Sequence, residues 1–412
     1  MLNAKIKKLS NNLTIVTDYI PTVSSATVGL WSNIGSRVEN DKNSGICHFL
    51  EHMVFKGTKN RTAFQLSEEI EARGGYMNAW TSKEKTTWYA KVLKEDVVLA
   101  MDIIFDMLLN STYKPDLLEK ERGVILEEIK MYLDSPSDTA HTIYDKLAYK
   151  GSSLAMPIIG SKETVSSFLS NDFSNHINSY YYPSNMVLVV SGNFNEDEFL
   201  NKATEFAKNW QDKSVSTKQN QAEISFDSEV FVKKEIEQAS LVYGLKGYSY
   251  KDDNYYNALA LNTVLGGGMS SRFWIKIREE EGLAYSVDSY LNTYSDCGTF
   301  TVSVGCDADN VNKVIGLIRQ EMSNAVNNIS EKELQKAKNQ IKSGIIMGLE
   351  STYNRANKIA NNILDFGIVK NINESITKID NISLNNINGV LNELLSSKEI
   401  IAVVSPKDIK IS

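Results

Sequence analysis

Apolar and polar positions along this chain follow two periods. LTIVTDYI (13–20), ATVGLWSNIG (26–35) and TTWYAKVL (86–93) are rich in β-branched and aromatic residues and predict strands. MVLVVSG (186–192) and EIIAVVSP (399–406) are apolar runs stopped by Ser and then Gly or Pro, as expected of strands ending in turns. Between such runs lie long segments of helical period, among them SGICHFLEHMVFKG (44–57) and PDLLEKERGVILEEIKMYLDS (115–135). Alternation of this kind predicts an α+β fold with helices packed on a mostly antiparallel sheet.

The pattern occurs twice. The two terminal strand runs close two halves of similar length, and EKERGVILEEIK (119–130) is echoed by EKELQKAKNQIK (331–342), with Glu-Lys-Glu and Ile-Lys at matching offsets. A period this long is a duplicated domain, far beyond any solenoid repeat. The polar Gln/Ser/Lys-rich stretch 211–223 reads as the joint. The expected organisation is a first domain 1–212, a linker 213–223 and a second domain 224–412.

Composition sets limits. With 412 residues, 42% hydrophobic and 23% charged, the chain is long enough for two cores and typical of a soluble globular protein. No run approaches a membrane span, and the basic N-terminus lacks an apolar signal core, so a cytoplasmic location is expected, with no membrane partner. The net charge of −7 argues against nucleic acid and favours cationic partners. Cys47, Cys297 and Cys306 form no CxxC pair, so neither a disulfide framework nor a thiolate metal site is indicated.

Histidine is the scarce residue: four in the chain, two of them in HFLEH, and none in the second half. On a helix capped by Ser44 and ended by Gly57, His48 and His52 leave one face ~40° apart, with Glu51 ~60° to one side. Such a pair can grip one divalent ion, or can be two surface histidines beside an idle glutamate. The helix at 115–135 bears on this choice. Its apolar stripe, drawn through Leu117, Val124, Ile125, Ile129 and Tyr132, encloses Glu121 and Glu128, whereas Glu119 and Glu127 fall among Lys120, Lys130 and Asp134. Buried carboxylates need a cation. A metal at His48 and His52 would serve, with one glutamate as ligand and the other orienting a histidine, as would a buried Arg or Lys. At the repeat offset Glu128 becomes Gln340 and Glu127 becomes Asn339, so the second copy lacks the site. Cys47 leaves another face as buried filler, and His141 and His176 read as structural.

HFLEH, followed by ERGVILEE with its last glutamate 76 residues beyond His52, resembles the inverted-zincin peptidases of the pitrilysin and insulysin family. The likeness is greatest to the β subunit of mitochondrial processing peptidase and its bacterial single-chain relatives, and it spans the whole chain. It implies two homologous lobes facing each other across a cavity, and a zinc endopeptidase with one Zn²⁺ per chain, held by His48, His52 and Glu128. Glu51 is implied as general base and Glu121 as support for the ligands. GGYMNAWTSKEKTTWYAKV (74–92) resembles the family's substrate hairpin, in which Tyr76, Asn78, Ala79 and Trp80 would bind an extended peptide. Read without the family, it is a hairpin around Ser82–Lys85 with an ordinary edge strand. LGGGMSSRFWIKIREEEGLAYSV (265–287) resembles the block whose Arg278 and Tyr285 reach the substrate; alone, Arg278 beside Glu279–Glu281 reads as a helix-face ion pair. The implied substrates are short or unfolded, including basic, presequence-like peptides, cleaved by a homodimer or monomer. The alternatives are a non-catalytic structural or adaptor homologue and a catalytic subunit that needs a partner.

Overall fold

A computed structural model describes residues 2–213, 222, 224 and 228–411. Apart from Lys213 and Ala222, the expected linker 213–223 lies outside the described residues. Eleven strands form two sheets. Those of the first are β1 (Ala4–Lys8), β2 (Thr14–Tyr19), β3 (Ser25–Ser32), β4 (Tyr76–Thr81), β5 (Thr86–Leu93) and β6 (Met186–Gly192). Those of the second are β7 (Ser228–Lys233), β8 (Ala239–Lys246), β9 (Ala284–Thr293), β10 (Gly298–Cys306) and β11 (Ile400–Ser405).

The orders are β1-β2-β6-β3-β5-β4 and β7-β11-β8-β10-β9. In each sheet one pairing is parallel, β2 with β6 and β7 with β11, and the others are antiparallel. Without β1, the two orders are the same order. The fold is α+β with a duplicated, mostly antiparallel sheet, and each predicted strand run falls on a strand. β4 pairs only with β5, leaving its other edge open within the sheet.

Compactness divides the chain into two units that are not contiguous in sequence. One comprises 1–129, 157–219 and 346–372; the other comprises 130–156, 220–345 and 373–412. In the first unit, one sheet face packs on helices of its own half around Phe49, Leu50, Ile104 and Phe173. The opposite face, with Val16, Trp31, Val187 and Val189, is covered by Ala356, Ile359 and Ala360 of a second-half helix, Thr352–Phe366. In the second unit the main core gathers Leu241, Leu261, Phe300 and Leu391. Its opposite face, with Val242, Ile400, Ala402 and Val404, is covered by Ala140, Tyr144 and Ala148 of a first-half helix, Pro136–Ala148. Each sheet thus borrows one helix from the other half of the chain.

The borrowed helices dock by different chemistry. On the first sheet, Arg355 Nε and Nη2 donate to Asp18 Oδ2 and Oδ1 at 2.7 and 2.9 Å. Burial pushes the Asp18 carboxyl up, but Arg355, Ser191 and the Asn3 N–H together hold it below its ordinary value. On the second sheet the covering helix packs apolar and tyrosine side chains and adds a polar contact, His141 Nε2 at 2.6 Å from Tyr290 Oη. Among the described residues, no helix is long and apolar enough to cross a membrane.

Candidate active site

The helix carrying both histidines runs Ile46–Met53 and continues as a single 3₁₀ turn, Val54–Lys56, ending at Gly57 with φ +112°. Its start differs from the sequence expectation. Gly45, not Ser44, is the N-cap, at φ +94°, where a Cβ would lie 2.7 Å from the Ile159 carbonyl oxygen. The cap comes from a distance: the buried Glu39 carboxylate accepts from the Gly45 and Cys47 N–H groups, both at 2.8 Å. Burial raises the Glu39 carboxyl to about 7 despite these bonds. A local Ser cap was the expectation because a cap supplied from six residues upstream leaves no local pattern.

His48 and His52 leave the same face, with ring centroids 4.7 Å apart. Glu128 Oε1 lies 3.8 Å from His48 Nε2, and Glu128 Oε2 lies 3.9 Å from His52 Nε2. One ligand atom from each of the three residues falls within 4.8 Å of the others. The donor set of two imidazoles and one carboxylate suits zinc with one position left open.

The helix Pro115–Asp134 supplies two glutamates with different roles. Glu121 is buried, and its Oε1 accepts from His52 Nδ1 at 2.8 Å. A carboxylate can only accept, so Nδ1 carries a proton, which leaves Nε2, facing Glu128, as the nitrogen available to a metal once it is deprotonated. The other Glu121 oxygen meets Lys56 Nζ at 2.7 Å. Burial would raise the Glu121 carboxyl, but His52 and Lys56 pull it below its ordinary value. Glu121 thus meets both a histidine and a basic side chain, the two kinds of partner weighed for it from sequence.

The stripe on this helix needs correction. Its buried residues are Leu118, Glu121, Arg122, Ile125 and Ile129. Val124 is 53% exposed and Tyr132 47%, so neither belongs to the core. Arg122 occupies the margin, donating to the Phe168 carbonyl at 2.7 Å and to that of Val165. The turn of the stripe toward Arg122 leaves Glu128 at its edge, with its side chain 31% exposed rather than buried as expected.

The histidines are electrostatically unequal. Burial, then the neighbouring His52 charge, lowers His48 to about 4, which keeps its ring neutral. Burial acts against protonation of His52 too, but the bond to Glu121 and the charges of Glu121, Glu51 and Glu128 raise it overall. His48 Nδ1 is buried and makes no hydrogen bond among the described residues. One ring is therefore braced by a carboxylate and the other by packing alone.

Glu51 lies on the same helix, next to β4. Thr81 Oγ1 donates to Glu51 Oε2 at 2.6 Å. Burial raises the Glu51 carboxyl; the Thr81 bond and His52 partly offset this, and Glu128 adds to it. Neither Thr81 nor Lys56 was singled out from sequence, because only the fold brings them to the site.

The substrate hairpin predicted from sequence is β4 and β5, joined through Ser82–Lys85. Its turn is not a solvated loop: Lys83 and Glu84 are buried, and Arg37 Nη1 reaches Glu84 Oε1 at 2.6 Å. On β4, Tyr76 and Asn78 are exposed, and Ala79 packs partly against the core. Trp80 takes a structural position, its Nε1–H donating to Tyr353 Oη of the borrowed helix at 2.9 Å.

Arg278 and Tyr285 belong to the second unit and lie side by side there. Arg278 sits in a π-helical turn, Trp274–Glu280, and Tyr285 is 78% exposed near the start of β9. The guanidinium carbon of Arg278 lies 4.2 Å from the Trp274 ring centroid and 5.1 Å from that of Tyr285. The neighbouring acids have other partners: Glu279 accepts from Trp274, Glu280 pairs with Lys276, and Glu281 pairs with Lys313. Arg278 itself comes only within 3.9 Å of Glu279. The ion-pair reading of this segment holds in part, with Glu279 as a long partner, and the two aromatic faces also contact the guanidinium.

The remaining histidines are structural. His176 is buried with Nε2 at 3.3 Å from Cys47 Sγ, and His141 Nε2 lies 2.6 Å from Tyr290 Oη. All three cysteines are buried, and none forms a disulfide.

Residues 14–162 match the family described as insulinase (peptidase family M16), and residues 168–341 match the peptidase M16 inactive domain. A Bacillus subtilis protein named uncharacterized zinc protease YmxG is 37% identical over 96% of this chain and 97% of its own. A Rickettsia felis uncharacterized zinc protease is 36% identical over 99% of each chain. The fold is shared with the crystal structure of a protease from Helicobacter pylori, at a TM-score of 0.92, 21% identity and coverage of 98% of this chain and 100% of that one. It is shared also with a chain of complex III2 from Candida albicans, at a TM-score of 0.84, 21% identity and coverage of 97% and 95%. The Bacillus subtilis and Rickettsia felis relatives are zinc proteases by name, which suggests the metal, and the chain belongs to peptidase family M16, the family of insulinase and pitrilysin.

Proposed function

We propose that this protein is a zinc metalloendopeptidase that binds one Zn²⁺ through His48, His52 and Glu128 and cleaves extended peptides. The observation that carries the reading is the convergence of those three ligand atoms within 4.8 Å, with Glu51 on the same helix. Zinc held there supplies Lewis acidity that makes a water nucleophilic near neutral pH, with a pKa of about 7.

The chain's own groups do the rest. Glu51 keeps Oε2 on Thr81 and makes no other hydrogen bond among the described residues, so Oε1 is the atom to take the water's proton. Its raised carboxyl lies nearer neutrality than that of a free glutamate, which suits a base that must later release the proton. As the water oxygen bonds to the peptide carbonyl carbon, Glu51 receives one proton; as the C–N bond breaks, it passes that proton to the leaving amine. Glu121 holds the His52 tautomer, with Lys56 balancing its charge. The open edge of β4 offers backbone groups to a peptide in extended form, with Tyr76, Asn78 and Ala79 along it. Arg278 and Tyr285 engage peptide carbonyls through donors that the neighbouring acids leave largely unused. Short or unfolded peptides, including basic ones, are the substrates, and the cytoplasm is the site of action.

The test is zinc content and quenched-peptide cleavage for the parent, Glu51→Gln and His52→Ala. Glu51→Gln should retain zinc and lose ~10²–10⁴ in rate, while His52→Ala should lose both metal and cleavage. A zinc-free, inactive parent protein would falsify the reading.

A further inference from the structure

We infer that Thr81 is a positioning residue for the general base, tying the orientation of Glu51 to the strand on which a peptide pairs. The inference rests on the peptidase reading above and deepens it. Thr81 closes β4 and faces Thr86 across the hairpin. Its hydroxyl donates to Glu51 Oε2 at 2.6 Å, the one hydrogen bond that carboxylate makes among the described residues. A glutamate side chain has three rotatable bonds and otherwise samples several rotamers. With one oxygen fixed, the other has far fewer positions open to it, on the helix that also carries His48 and His52.

The end of the strand is itself fixed from both faces. Ala79, on the same face as Thr81, packs against the core that includes the histidine helix. Trp80, on the opposite face, is tied to Tyr353 of the borrowed helix. A peptide adding to the open edge of β4 uses backbone N–H and C=O groups in the plane of the sheet, whereas the Thr81 hydroxyl projects off that plane. Substrate pairing and the bond to Glu51 are therefore compatible, and ordering of β4 by a bound peptide is felt at the base through one side chain. A charge-assisted bond of this kind is worth enough to change an orientation-dependent rate by about tenfold or more.

The experiment measures kcat, KM and zinc content for the parent, Thr81→Val, Thr81→Ser, Glu51→Gln and the double variant Thr81→Val/Glu51→Gln. Thr81→Val should lower kcat about tenfold with KM within about twofold and zinc unchanged, and Thr81→Ser should recover most of the loss. The double variant should be no slower than Glu51→Gln alone, since the hydroxyl acts only through that carboxylate. If valine is not tolerated in the fold, Thr81→Ala removes the same hydroxyl and carries the same expectation. A parental kcat in both hydroxyl-free variants, a change in KM alone, or a further loss on top of Glu51→Gln overturns the inference. Parental cleavage by Glu51→Gln overturns the peptidase reading instead; an inactive Glu51→Gln beside a fully active Thr81→Val overturns the role of Thr81 only.

Discussion

The two units of this chain carry one sheet order and two kinds of chemistry. At the spacing that sets Glu121 against Glu333 and Glu128 against Gln340, His48, Glu51 and His52 fall on Ala260, Thr263 and Val264. Ala260 and Val264 are buried and join the main core of the second unit. Small apolar side chains stand there in place of the imidazoles, buried in the core. One polar element persists. Glu333 pairs with Arg272 at 2.8 Å, as Glu121 pairs with Lys56. The difference teaches which parts of the first site belong to the scaffold and which to chemistry: a carboxylate bound to a basic side chain occurs in both units, whereas the histidines, Glu51 and Glu128 occur in one.

The largest effect should come from breaking that asymmetry. Glu128→Gln should bring bound zinc and peptide cleavage to background, while Gln340→Ala leaves both at parental levels; metal analysis beside an activity assay checks this. The borrowed helices offer the next contrast. Arg355→Ala strands the fully buried Asp18 carboxylate and should cost ~3–5 kcal/mol, read as a lowered unfolding midpoint. Third, Glu121→Gln should weaken metal binding ~10–100-fold in chelator competition, because the His52 ring loses its charged brace; Glu333→Gln should leave metal binding unchanged. Fourth, Trp274→Ala should lower kcat/KM by about 3- to 10-fold, with Trp274→Phe close to parental, since a ring face beside Arg278 is what matters.

The smallest effect is one of pH. Burial pushes the Glu333 carboxyl up, but Arg272 and Ser330 hold it down, from an ordinary 4.5 to about 2. A depressed carboxyl adds stability above its unfolded pKa and loses it as pH falls, so this contribution should fade between about 4.5 and 2. Unfolding midpoints of Glu333→Gln should therefore show a shallower acid limb than those of the parent over that window.

Much of this was legible in the sequence because it is periodic or local. The strands β2 to β6 and β11 were marked by apolar, β-branched or alternating runs, and the duplication by matched motifs. His48 and His52 were placed together by helix geometry, and Glu121 was marked by its position within an apolar stripe. Errors came where a tertiary neighbour decides. The stripe was drawn through Val124 and Tyr132, but Arg122, aliphatic along its length and satisfied by carbonyls at its tip, takes the buried margin instead. Ser44 looked like a cap, and Glu39 is one. Lys56 and Thr81 are ordinary residues until the helix and hairpin meet. The helix exchange was invisible for a similar reason: an amphipathic helix does not state which sheet it will cover.

That exchange has a consequence in time. The first sheet has all its strands once β6 ends at Gly192, yet one face stays bare until the helix ending at Phe366 exists. About 170 further residues must be synthesised first, which at ~5–20 residues per second is roughly 10–35 s. Throughout that interval Val16, Trp31, Val187 and Val189 lack the helix that covers them in the finished fold. A nascent chain in this state presents a strand-backed apolar surface to every neighbour, and the length of that exposure is set by chain order rather than by overall hydrophobicity.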